Sequence, residues 1–414
     1  MDPDVIVVGG GPAGSYSALQ AAKLGVQVII CEEHNKVGVP SHCTGHISIE
    51  NLRHFDLRLP KNVFENEIES AVFYSPSGYR FSVRFPSPVT CVINRELFDQ
   101  HLLNMALEAD AKILYNTHVD SLLIEKGYVK GVTFDRNKKT QKLESKVVID
   151  AEGVSSKLLK RARKSFFKRR IIVNGVQAEV DKLEEMEEAT VEVFLDRNYA
   201  PGFFAWLVPR RDGTAKVGLG TINGNPRDCF HRFIHRNPIV RQRLKQSHIT
   251  NLVYHPIPLD GPIDRTVYNG LLIVGDAASQ VKPTTGGGIT MGLTCAEIAG
   301  KVAAHAVHNR DSSTNFLSQY ESQWRKKIGF DMAAMKRLRF LLAKFSDKQL
   351  DKLVILGSRL KLDKDLRNTK DVDLQGTSLI RLAKSPKFAI VALYFLIIGF
   401  TQCYRKEAIS LQEH

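Results

Sequence analysis

The sequence points to an α/β protein, α+β overall, and three observations carry that reading. An apolar strand, Val5-Ile6-Val7-Val8, runs straight into the glycine-rich turn Gly9-Gly10-Gly11-Pro12-Ala13-Gly14, and a helix and a second apolar strand follow. Far along the chain, Gly270-Leu271-Leu272-Ile273-Val274-Gly275-Asp276 repeats the pattern of a buried strand that ends in glycine and an acid. Between these two, short segments alternate apolar and polar residues as antiparallel strands do. The architecture expected is a Rossmann-type domain with an inserted antiparallel β-sheet domain and a helical C-terminal region.

The first turn has the G-x-G-x-x-G spacing at Gly9, Gly11 and Gly14. Gly9 permits the bend, Gly11 leaves room for a pyrophosphate, and Gly14 lets helix and strand pack closely. The helix, continuing over Ala18 to Leu24 and closed by Gly25, offers free N–H groups to phosphate oxygens at its start. A second strand, Val26 to Ile30, leads to Glu32, placed about eighteen residues after Gly14 to accept hydrogen bonds from a ribose. Strand, turn, helix, strand and acid in that order indicate dinucleotide binding.

Other elements follow in order. Gly38 to Glu50 is polar and turn-rich, and chain leaving that strand edge can fold back over a cofactor. Glu69 to Phe85 reads as paired strands around Ser75-Pro76-Ser77-Gly78. Asn94 caps a helix that runs to about Ala109. Short strands are expected at Lys112–Tyr115, Val119–Glu125, Tyr128–Phe134 and Val147–Ala151, the last leading to Glu152-Gly153. Ile171–Val180, Thr190–Leu195, Phe203–Pro209 and Ala215–Ile222 read as strands of the second domain. Asp276 then stands at the end of the Gly270–Val274 strand, where a carboxylate can bind ribityl hydroxyls. Thr284-Thr285-Gly286-Gly287-Gly288 opens a helix through about His308, whose N-terminal end suits the N1–C2=O edge of a reduced flavin.

The net charge of +14 falls largely after Lys301. A basic end suggests an anionic partner, namely a membrane surface, nucleic acid or an acidic protein; interleaved acids and few aromatics make nucleic acid the weaker option. The six cysteines are scattered without a C-x-x-C pair, so no metal site is indicated. The first apolar run is the Rossmann strand itself and not a signal peptide, which implies a cytoplasmic setting. Phe388 to Phe400 is an uncharged apolar run of about thirteen residues, where a span needs about twenty. Lys384, Lys387, Arg405 and Lys406 flank it, as in a helix buried in the protein or a shallow anchor at a membrane surface.

These motifs are similar to those of the geranylgeranyl reductase family, within the p-hydroxybenzoate hydroxylase-like flavoproteins. The resemblance runs from about Pro3 to Phe330. It rests on Gly9–Gly14, Ser41-His42-Cys43-Thr44-Gly45, Arg95 after Asn94, the Tyr199–Pro209 segment, and most strongly Val274–Ile289. It implies FAD and the reduction of isolated double bonds in geranylgeranyl chains of prenyl lipids, with NAD(P)H or a ferredoxin as electron donor. The implied domains are a discontinuous FAD-binding domain (1–65, 90–165 and 266–330), a β-rich substrate domain (66–89 and 166–265), and a helical region (331–414) with a membrane-contacting segment at 388–404. The implied cofactor-binding set is Gly9, Gly11, Pro12, Ala13, Gly14, Glu32, Glu33, Cys43, Thr44, Gly45, Arg95, Val119, Glu152, Gly275, Asp276, Gly286, Gly287, Gly288 and Ile289.

Two departures from the family pattern stand out. The aromatic motif appears as Pro201-x-x-Phe204-x-Trp206-x-Val208-Pro209, without the family's tyrosine hydroxyl and one of its rings. The superfamily's Asp-Gly is Glu152-Gly153 here. An isolated alkene is a poor electrophile, so hydride delivery calls for a proton in the same step. Cys43, His42, Tyr199 and water are the candidate donors, and the Trp206 indole can face developing positive charge. A flavin monooxygenase or halogenase, and a non-catalytic prenyl-lipid-binding flavoprotein, are the alternatives.

Overall fold

The computed structural model describes residues 2–136, 139–162, 171–367, 372–383, 385–395 and 398. The chain divides into two compact units. The first comprises Met1–Glu65, Val92–Ile172 and Pro256–Ala333, and the second Asn66–Cys91, Val173–His255 and Ala334–His414.

The first unit is built on a six-stranded sheet in the order Val267–Tyr268, Leu271–Ile273, Val147–Asp150, Val5–Val8, Val28–Cys31, Lys112–Leu114. All neighbours run parallel except the first pair. The three central strands are apolar and almost fully buried, as a sheet covered on both faces requires. Val8 pairs with both Asp150 and Cys31, and Asp150 with Ile273. That register brings Gly9, Glu32, Glu152 and Gly275 out at one carboxyl edge, where open α/β sheets bind ligands.

Two helices cross over this sheet, Pro12–Ala22 and Ile289–His308. A Cβ at Gly300 would lie 2.3 Å from the Ser17 carbonyl oxygen, so glycine is what permits a crossing this close. The same approach brings Gly292 against Gly275 and Ala13, which sets the start of the second helix beside the first turn. The Arg95–Glu108 helix begins at Asn94, whose side chain accepts the Leu97 N–H at 3.1 Å. The unit also holds a separate antiparallel sheet of Val119–Glu125, Tyr128–Arg136 and Lys139–Glu144.

The second unit is a seven-stranded sheet ordered Ile249–Pro258, Ile172–Val180, Ala215–Thr221, Ala205–Pro209, Thr190–Phe194, Ser70–Tyr74, Arg80–Arg84. One pair departs from the antiparallel pattern: Thr190–Phe194 runs parallel to Ser70–Tyr74. One face carries an apolar cluster of Tyr74, Phe194, Ala205, Leu207, Val217 and Leu219. The helix Pro226–Arg236 closes it through Phe230 and Phe233. The C-terminal helix Asp347–Arg359 holds the Ser75–Gly78 hairpin turn: Asp351 accepts from the Ser75 and Ser77 hydroxyls and from the Ser77 N–H. Among the described residues, no helix is long and apolar enough to cross a membrane.

Candidate functional site

In the first unit, Gly9 takes a backbone φ of +98° and closes on the neighbouring strand: a Cβ there would lie 2.5 Å from the Ala151 oxygen. Gly14 is tighter still, at 1.8 Å from the Gly9 oxygen. Gly11, between them, faces open space with nothing within 4 Å. Pro12 and Ala13 start the helix, so its free N–H groups border that opening. Two glycines are thus consumed by packing and one leaves a cradle.

Glu32 is buried, and one of its oxygens accepts the Gly10 N–H at 2.7 Å. The other accepts from the His34 backbone N–H at 3.0 Å and lies 2.7 Å from His34 Nδ1. Its carboxylate braces the turn as well as standing at the strand end. Glu33 points elsewhere, to His118 at 2.8 Å. Val119 is buried in the apolar cluster behind the sheet with Val8 and Cys31. Glu152 Oε1 accepts the Leu158 N–H at 2.9 Å, and burial raises its carboxyl above the ordinary value against that donor.

The Gly275 end of the sheet is pinned by a buried network. Gln280 Oε1 accepts the Gly275 N–H at 2.8 Å, Gln280 Nε2 donates to the Tyr320 hydroxyl, and Tyr320 donates to the Ile273 carbonyl. Asp276 emerges from this clamp. Its Oδ1 lies where a Cβ at Gly288 would come within 2.9 Å, so the carboxylate sits against the start of the Ile289–His308 helix. The Gly286–Gly288 turn closes back on Lys282, whose carbonyl accepts the Gly286 N–H and whose N–H reaches the Gly287 carbonyl.

Cys43 lies on a loop tied to the strand before the Arg95 helix. The Gly45 carbonyl accepts the Ile93 N–H at 2.9 Å, Gly45 has a φ of +76°, and a Cβ there would be 2.1 Å from the Ile93 oxygen. The Cys43 sulfur accepts the Gly45 N–H at 3.4 Å. This pairing places the thiol near Arg95, whose charge Asp99 and Cys43 both favour. The Asp99 contact is bidentate, at 2.9 and 2.8 Å. Burial disfavours the Arg95 charge, but Asp99 and Cys43 outweigh it and hold the guanidinium above its ordinary value. Burial lifts the Asp99 carboxyl, with Arg95 opposing and Glu32 adding to the rise. A line of charged groups thus runs from the thiol through Arg95 and Asp99 toward Glu32 and the first turn. His42 and Thr44, on either side of Cys43, are partly buried.

In the second unit, Trp206 alternates out of the apolar cluster that holds Ala205 and Leu207. Its indole lies on Gly218 of the neighbouring strand, where a Cβ would meet ring atoms at 2.6 and 2.7 Å. Its N–H donates to Gln177 at 3.4 Å. Phe204 stands edge-on to it at 5.9 Å, and Phe203 stacks on Phe204 at 4.2 Å. Gly220 makes room for Phe203, with a Cβ there 2.6 Å from the ring. Tyr199 packs instead against Phe233, on the apolar-cluster side of the sheet, and burial raises its phenol above the ordinary value. Tyr199 and Trp206 are therefore on opposite faces.

Comparison with known proteins places this geometry. The FAD dependent oxidoreductase family matches residues 4–165, and the geranylgeranyl reductase catalytic domain matches residues 172–253. A digeranylgeranylglycerophospholipid reductase 2 of Methanothermobacter thermautotrophicus is 33% identical over 390 residues, covering 93% of this chain and 96% of its own. The protein of the same name from Methanopyrus kandleri is 31% identical, covering 93% and 99%. The chain belongs to the digeranylgeranylglycerophospholipid reductase family. A crystal structure of a geranylgeranyl bacteriochlorophyll reductase-like protein from Thermoplasma acidophilum superposes with a TM-score of 0.83 at 26% identity, over 91% of this chain and 95% of that one. A flavin-dependent brominase superposes at 0.70 with 17% identity, over 93% and 99%, and shares the fold alone.

This member of the family is an FAD-dependent oxidoreductase, and its first unit fits the cofactor. The open cradle at Gly11 and the helix start beside it suit a pyrophosphate, and Asp276 with Gly288 forms a second polar end at the same sheet edge. Gln280, Tyr320, Asp99 and Gly218 went unrecognised in the sequence. Gln280 lies inside a motif read only for its glycines and acid, and Tyr320 sits on a helix with no local mark of its partner. The i, i+4 spacing of Arg95 and Asp99 was the one available signal among them.

Proposed function

We propose that the protein reduces isolated C=C bonds in the geranylgeranyl chains of an ether phospholipid. FAD, bound and reduced, supplies the hydride. Cys43 supplies the proton, and Arg95 lies against the sulfur that becomes anionic when the proton leaves. Asp99, bidentate to Arg95, fixes that guanidinium. The Trp206–Phe204–Phe203 wall takes the prenyl chain and offers π faces that attract developing positive charge. The observation that carries this reading is the Cys43 thiol beside the buried Arg95–Asp99 pair, in the same unit as the open turn at Gly11. Tyr199 is the weaker donor, because its ring packs into the apolar cluster. The electron donor is NAD(P)H or a ferredoxin.

A membrane surface is the natural place for such a substrate. The C-terminal part of the second unit leaves Phe340, Ile380, Ile390 and Leu393 exposed among lysines and arginines, a composition that favours anionic lipid. Only part of the 388–404 segment is described; Lys384, Arg405 and Lys406 lie outside the described residues.

Cys43→Ser tests the proton assignment. It is expected to slow lipid reduction about a hundredfold while chemical reduction of the bound flavin keeps its rate. Equal turnover by both proteins removes Cys43 from the reaction.

A further inference from the structure

Arg339 is a charged residue that the reaction described so far does not use. It lies on the Phe330–Leu342 helix, in a stretch from Met332 to Lys344 that contains no acidic residue. Its guanidinium donates to the Gly202 carbonyl and sits 5.4 Å from the centre of the Phe203 ring. Among the described residues, no carboxylate pairs with it. Burial alone acts on it, holding the guanidinium below its ordinary value.

The place of this cation is specific. Phe203 stacks on Phe204, and Phe204 meets Trp206 edge-on. Gly220 and Gly218 leave the space that Phe203 and Trp206 fill. Arg339 therefore caps one end of a continuous aromatic row whose other end is the indole. A partly buried guanidinium without a carboxylate is costly unless an anion completes it. One carbonyl and one ring leave further N–H donors in its planar fork, whose geometry matches a phosphate.

We infer that Arg339 binds the phosphate of the lipid headgroup, so that the aromatic row receives the prenyl chain from a fixed anionic end. This rests on the lipid-reductase reading above and adds the residue that selects a phosphate-bearing lipid over a neutral one. Lys336, one turn earlier and exposed, supplies a second positive charge on the same helix.

The test compares two substrates on the full-length holoenzyme: a glycerol diether with two geranylgeranyl chains and a phosphate, and the same diether ending in a free hydroxyl. Wild type is expected to prefer the phosphate form at least about tenfold in kcat/KM, roughly the value of one charge-assisted contact. Arg339→Gln is expected to remove most of that preference through KM, and Arg339→Lys to restore part of it. Equal losses on both substrates mean that Arg339 only packs the loop, and overturn the inference. A wild type with no preference overturns it without any variant, which covers the case of a poorly folded Arg339→Gln. A wild type that reduces neither lipid contradicts the reductase reading itself, and the inference falls with it.

Discussion

The indole of Trp206 lies on Gly218, the residue opposite it in the next strand, with no room between them for a single methyl group. Gly218 is not in a left-handed conformation, so the glycine answers to close approach, by the ring on one side and by the Val176 carbonyl oxygen at 2.7 Å from the same Cβ position. Gly218→Ala is therefore expected to fold and to lift the indole off the sheet. Overpacking of this kind costs about 1–3 kcal/mol, and turnover on a prenyl lipid should fall more than FAD content does. Intrinsic fluorescence reports the displacement, because the second tryptophan, Trp324, is buried in the first unit. Unchanged emission together with unchanged turnover would show that the indole position is irrelevant to the reaction.

Gly11 and Gly14 should respond in opposite ways. A Cβ at Gly11 meets nothing within 4 Å, whereas one at Gly14 comes within 1.8 Å of backbone. Gly11→Val is expected to leave a folded protein that has lost its yellow colour. Gly14→Ala is expected to lower the melting temperature even of apoprotein, since strand and helix must separate. A Gly11→Val protein with full flavin content would contradict the cradle.

Much of this was legible in the sequence, and the reasons are local. The turn at Gly9–Gly14, the Asn94 cap and the Ser75–Gly78 hairpin each declare themselves within a few residues. What was not legible depends on partners far away. Lys139–Glu144 is a mostly polar strand placed by its pairing with Gly131–Arg136 and by Leu143 against the apolar cluster. Ile249–Pro258 has little alternation to mark it as the edge of a sheet. The spacing of Glu32 marks it as a ribose ligand and gives no sign that its carboxylate accepts from Gly10 and His34. Tyr199 and Trp206 are seven residues apart in one motif, yet strand alternation and the intervening loop send them to opposite faces.

Acid should loosen the second unit at a defined contact. Burial acts against the Asp351 charge, but three donors from Ser75 and Ser77 outweigh it and hold the carboxyl below its ordinary value. A folded-state value below the unfolded one gives stability that is present above the unfolded value, about 3.9. It is lost as pH falls through the folded value. Asp351→Asn is expected to be less stable than wild type near neutrality, by less than about 1 kcal/mol for so exposed a group, and to converge with it below about pH 3. A stability difference that persists undiminished in acid would refute this assignment.

The helix at 386–395 has two sides. Tyr394, Phe395 and Ile398 pack around Phe345, while Ile390 and Leu393 are 48% and 56% exposed. Deleting the segment would strip the packed side as well, so point changes are the cleaner probe. Ile390→Glu with Leu393→Glu is expected to weaken binding to anionic vesicles by at least about tenfold, each side chain contributing up to about 1.5–3 kcal/mol. Melting temperature should hardly change. Vesicle binding equal to wild type would leave the exposed side without a membrane role.

The central claim is that the flavin's electrons pass to an isolated alkene of a prenyl lipid. It is tested most directly by reducing the holoenzyme without oxygen, adding a digeranylgeranyl glycerophospholipid, and following flavin absorbance and lipid mass together. The expected result is reoxidation of the flavin with a gain of two hydrogens per turnover in the lipid. A flavin that stays reduced until oxygen is admitted, with lipid that gains oxygen or remains unchanged, would contradict the account.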